Sequence, residues 1–153
     1  MTMAQIDEVT RLLAGAADTL TEAHWVRSAP ERLAATRAGT LQVAAAVLAA
    51  RGRPGALGAA ADGPSCPWTA LARVAPELAE RSEHLAQAYA RPPQDVRGVD
   101  DLLRAGEDLL LVAAATLGLP APMLPATLVP VSAASVASLS SLRAAGPARA
   151  RPA

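Results

Sequence analysis

This chain of 153 residues has no lysine and no phenylalanine; all 14 basic residues are Arg, and two Trp and one Tyr are its only aromatic rings. So few rings argue against an all-β fold, whose strands draw on aromatic and β-branched side chains. One cysteine, Cys66, rules out an internal disulfide, and no Cys-x-x-Cys or metal-ligand spacing surrounds it. It reads as an unpaired loop thiol in a reducing compartment. Charge of either sign is not in excess: 14 Arg stand against 14 Asp and Glu. A strongly basic nucleic-acid binder is therefore not expected. Long apolar runs are also missing. The longest, 109–119, is too short to cross a bilayer and has Glu107 and Asp108 beside it. The first residues lack the basic start of a signal peptide, so a cytoplasmic location and no membrane are expected.

What the chain has is alanine, about a quarter of its residues, with leucine. The expectation is an all-α fold: a compact up-and-down bundle of four to five helices over 1–118, followed by a disordered tail rich in Pro and Ala over 119–153. Charge divides at that boundary. The stretch 118–153 holds three Arg and no acid, whereas 1–117 holds 11 Arg against 14 acids. Within the tail, Val136, Leu139 and Leu142 permit a short helix over 132–145.

The first helix is predicted over 3–27, where Ile6, Val9, Leu13, Ala16, Leu20 and Ala23 form one stripe. Ser28-Ala29-Pro30-Glu31 has the form of a capping box opening a second helix that runs to Arg51. Its end, 43–50, is apolar all round and should be central. A loop over 52–67 reads as mobile. A short third helix covers 67–75 and a fourth 76–90, with Glu77 four residues before Arg81. The fifth starts near Val99 or Asp100, whose carboxylates suit a helix N-terminus, and stops at Gly118. Its apolar residues cover more than half its circumference, as in a central helix or one that also forms a dimer interface. Gly15, Gly39 and Gly106 lie inside helices; close backbone approach or GC-rich codon usage would each account for them.

Chemistry-bearing residues are sparse. His24 reads as a helix-end residue and His84 as a solvated imidazole paired with Glu80. Glu77, Glu80 and Glu83 read as a solvated face. Asp100, Asp101, Glu107 and Asp108 around Arg104 read as an ion network along one helix. No HExxH or ExxH pattern and no phosphate-binding loop is found, so no metal and no cofactor are expected. Both Trp residues read as structural.

From 29 to 117 the chain resembles a HEPN domain (higher eukaryotes and prokaryotes nucleotide-binding), of a small branch typical of high-GC actinobacteria. The resemblance is carried by Ala29-Pro30-Glu31-Arg32-Leu33, by the Ala-rich helix end at 44–51, by the stretch from Trp68 through Ala75-Pro76-Glu77-Leu78 to Glu80, and by Asp100-Asp101-Leu102-Leu103-Arg104-Ala105. It implies a bundle of four to five helices, often dimeric. Many members are metal-independent ribonucleases with Arg, four to six residues and then His near the start of the last helix. Arg97 occupies the Arg place, but Asp101, Leu102 and Leu103 stand where His would be, so no catalytic residue carries over. The resemblance implies a non-catalytic interaction module, homodimeric, that binds RNA or a protein, with Arg32, Arg97, Asp101 and Arg104 as candidate contact residues. One alternative is a degenerate ribonuclease using Arg97, Asp101 and Arg104. Another is a structural adaptor tethered by its tail.

Overall fold

A computed structural model describes residues 1–52 and 66–124. Among the described residues every regular element is helical: α1 Met3–Trp25, α2 Ala29–Arg51, α3 Pro67–Val74, a 3₁₀ turn Pro76–Leu78, α4 Ala79–Ala90 and α5 Val96–Thr116. The all-α bundle expected from the apolar spacing is what forms. The expected loop lies mostly outside the described residues, as do the tail beyond 124 and the short helix over 132–145.

The stripe on α1 is buried as predicted, with Val9, Leu13, Ala16, Leu20 and Ala23 all in the core. It packs against α2 as an antiparallel hairpin, and α5 lies across both. On the other side, α3 meets α2 and α4 meets α5, closing the bundle. By length and composition α2 alone among the described helices is apolar enough to cross a membrane. Here it is a bundle helix, with Thr36, Thr40, Val43, Ala46 and Val47 buried against its neighbours.

Small side chains set the spacing. A Cβ on Gly39 would stand 2.7 Å from Leu20 Cγ, and one on Gly106 would stand 2.7 Å from Thr40 Cγ2. These two glycines therefore let α1, α2 and α5 approach closely. Gly15 is different: the nearest atom to its Cβ position, Gln42 Oε1, is at an ordinary 3.7 Å.

The helix ends partly depart from the sequence reading. Thr2 and Gln5 form a full capping box on α1, which the sequence reading did not contain. Ser28, expected to cap α2, makes no side-chain cap bond, and Pro30 alone of that motif behaves as predicted in the first turn. α5 begins at Val96, earlier than expected, because the Asp95 side chain accepts from the Gly98 amide at 2.9 Å. Asp100 and Asp101 consequently sit in the second turn and face other helices. The other end agrees: Gly118, at φ 68°, and Leu119 donate back to Ala115 and Ala114 carbonyls, a Schellman stop. Beyond it, Leu119 and Leu124 pack against the core.

One aromatic pair completes the interior. Trp68 and Tyr89 stack at 5.7 Å between centroids. Thr40 Oγ1 donates its one proton to the Arg37 carbonyl, so the Tyr89 hydroxyl 2.9 Å away donates to Thr40. Arg37 lies over the Tyr89 ring. Burial outweighs these contacts and pushes the Tyr89 phenol up to about 12. Trp25 departs from the structural role expected of both Trp residues: it is 79% exposed at the end of α1.

Candidate functional site

The chemistry-bearing side chains gather along α5, and helical periodicity sorts them. Leu102, Leu103, Gly106, Leu109, Leu110 and Ala113 turn inward. Asp100 and Glu107 then fall on the flank toward α1 and α2, and Asp101 and Asp108 on the flank toward α4. Between the flanks runs an exposed ridge of Arg97, Arg104, Leu111 and Ala115. The predicted ion network along one helix is replaced by ties between helices. Asp100 pairs with Arg32 of α2, Glu107 with His24 of α1 at 2.6 Å, and Asp108 with Arg81 of α4 at 2.6 Å. Only Asp101 with Arg104, at 3.4 Å, stays within α5. Neighbouring helices offered partners from fixed positions, whereas pairs three and four apart on a solvated helix gain only a few tenths of a kcal/mol.

Arg32 is the most heavily engaged of the residues singled out from the sequence. Its guanidinium donates twice to the Val26 carbonyl, at 3.0 and 2.6 Å, and once to Asp100. With 16% of its side chain exposed, it clamps the α1–α2 turn to α5. Arg51 does the same at the far end of α2, bonding Glu77 and the Thr116 carbonyl. Glu77 therefore pairs with Arg51, not with Arg81 as its spacing suggested. Its own backbone amide, with Arg51, holds its carboxyl below the usual range.

Between α4 and α5 lies a groove of two adjoining hollows of about 290 and 230 Å³ that share His84. Glu80, Arg81 and Asp108 line the first, and Arg91, Gly98 and Asp101 the second. His84 and Glu80 share a hollow, but no hydrogen bond joins them, contrary to the pairing read from their spacing. His24, expected merely to end a helix, is instead a half-buried partner of Glu107. Neither imidazole sits beside Arg97. Among the described residues no three His, Cys, Asp or Glu side chains converge as a metal site.

Of the four candidate contact residues, Arg97, Asp101 and Arg104 are exposed together on the outer side of α5, while Arg32 lies beneath its flank, bound to Asp100. Sequence reasoning missed the exposed Trp25 and the His24–Glu107 tie. The first is foreshadowed only by its place after the last stripe residue, Ala23; the second joins residues far apart in the chain and leaves no local signal.

A family model described as HEPN_SAV_6107-like HEPN matches residues 23–112, from the last turn of α1 into the second half of α5. No curated protein matches the chain. No solved structure matches it either.

Proposed function

The chain belongs to the HEPN_SAV_6107-like HEPN family, and from that premise we propose that it is a non-catalytic interaction domain, a cytoplasmic homodimer that binds a protein partner. The observation that carries this reading is the outer ridge of α5. Arg97, Asp101, Arg104, Asp108, Leu111 and Ala115 recur at steps of four and three, and all are exposed, Leu111 at 41%. Such a stripe, with alternating signs of charge at one end and an apolar end opposite, suits a helix that lies along another. A second copy in two-fold arrangement would set Arg104 and Asp108 of each chain against each other and cover Leu111.

Light scattering on the eluting full-length protein tests this: a dimer mass is expected, and Leu111→Glu should yield a folded monomer. A monomeric parent protein at tens of micromolar overturns the homodimer. The ribonuclease reading is favoured by one observation, that Arg97, Asp101 and Arg104 occupy one exposed row. It requires cleavage of RNA by the purified protein that Arg97→Ala abolishes.

A further inference from the structure

Five of the described arginines are joined to carboxylates: Arg11 to Glu8, Arg32 to Asp100, Arg51 to Glu77, Arg81 to Asp108 and Arg104 to Asp101. Arg37 covers the Tyr89 ring. Arg27, Arg91 and Arg97 have no such pairing among the described residues, and the fold brings all three to one end of the bundle. Arg27 follows α1, Arg91 ends α4 and Arg97 opens α5. The Arg32 clamp fixes this end, because one guanidinium holds both the Val26 carbonyl, next to Arg27, and Asp100, one turn from Arg97.

The same end carries the exposed ring of Trp25 and, on the first turn of α5, Val96 at 57% exposure. Val96 lies four residues before Asp100, hence on the flank of α5 that faces the Val26 turn. An exposed Trp flanked by unpaired guanidinium groups has the composition of an interface anchor: apolar area from the ring and charge-assisted hydrogen bonds from Arg.

We infer that this end of the bundle, centred on Trp25 with Arg27 and Arg97, is a docking surface for an acidic, leucine-containing segment of a partner protein. Charge complementarity supplies the carboxylates, since these guanidinium groups lack them in the chain itself. The apolar half of the segment covers Trp25 and Val96. A continuous polyanion fits less well. Glu22, Glu31 and Asp101 are exposed among the cations, and a single exposed ring cannot stack successive bases. This assignment rests on the reading of the chain as a protein-interaction domain and gives it a surface and a partner chemistry.

Trp68 is buried, so a change in tryptophan emission on binding reports Trp25. The probe is a 15-residue peptide of repeated Asp-Glu-Leu, titrated into the full chain beside the same peptide with Asn-Gln-Leu and a 12-mer oligouridylate. The acidic peptide should bind saturably and shift the emission to the blue, and the amide peptide should not. The double variant Arg27→Ala/Arg97→Ala should weaken binding at least tenfold with helical content unchanged. Trp25→Ala, followed by anisotropy of a labelled peptide, should weaken it to a similar degree. Saturable binding that neither variant disturbs overturns the surface and leaves the interaction-domain reading standing. Binding of oligouridylate without the peptide overturns both. An emission shift on raising the protein concentration alone assigns the surface to a second copy and overturns the acidic partner.

Discussion

Replacing Gly39 by Ala should destabilise the protein by about 2 kcal/mol, although alanine is the better helix former by about 1 kcal/mol. The magnitude follows from what the new methyl meets. It would lie 2.7 Å from Leu20 Cγ, 2.9 Å from Leu20 Cδ2 and 3.4 Å from the Ala16 carbonyl oxygen. Leu20 is fully buried and cannot swing aside, and the carbonyl belongs to the α1 backbone. Overpacking of this kind costs about 1–3 kcal/mol, here near the upper value, against the gain of about 1 in propensity. Gly15→Ala is the matched control. Its methyl meets only a side-chain oxygen at 3.7 Å, so the propensity gain of about 0.5–1 kcal/mol should appear undiminished. Urea unfolding followed by helical circular dichroism measures both. Leu20→Val, which removes part of the obstruction, should reduce the cost of Gly39→Ala in a double-mutant cycle. If Gly39→Ala and Gly15→Ala stabilise alike, close approach of α1 and α2 is not what glycine serves there, and codon usage is the better account.

Arg32→Gln should cost about 2–3 kcal/mol in the same assay, since it strands the Val26 carbonyl and the Asp100 carboxylate, and Arg32→Lys should recover little of it because one ammonium cannot span both acceptors. Gly118→Ala should cost about 1 kcal/mol through backbone conformation alone, because φ is 68° and no atom lies within 4 Å of the added methyl. Tyr89 should resist ionisation in the folded protein until pH is near 12, read as phenolate absorbance. An unfolded chain releases that proton from about pH 10, so stability should fall between about pH 10 and 12, by roughly 2–3 kcal/mol in all. Tyr89→Phe should remove that alkaline loss while lowering stability at neutral pH by about 1 kcal/mol through the lost bond to Thr40.

The helices were legible because their information is local. The stripe from Val9 to Ala23, the Pro30 in a first turn and the Gly118 stop each follow from residues within a turn or two. Ion pairs were not legible, for the opposite reason. Glu77 with Arg81, Glu80 with His84 and Asp100 with Arg104 are well spaced on paper. Each lost to an arrangement set by packing, as Arg51, Arg32 and Arg81 found carboxylates on other elements. The roles of Gly39 and Gly106 depend on atoms of neighbouring helices and likewise could not be separated from composition. The start of α5 was misplaced by one turn because paired acids at Asp100 and Asp101 resemble a helix opening more strongly than the single Asp95 that performs it. At the candidate site, Arg97, Asp101 and Arg104 were correctly expected on a shared face, while the exposure of Trp25 depends on where α1 ends relative to α2.

The three carboxylates that α5 extends sideways reach three different helices, so α5 acts as a common fastener. Detaching it releases Arg32, His24 and Arg81 at once. Peripheral fraying aside, α1, α2 and α4 thus have no independent way to open, and their amide protons should exchange with solvent through one shared event at one free energy.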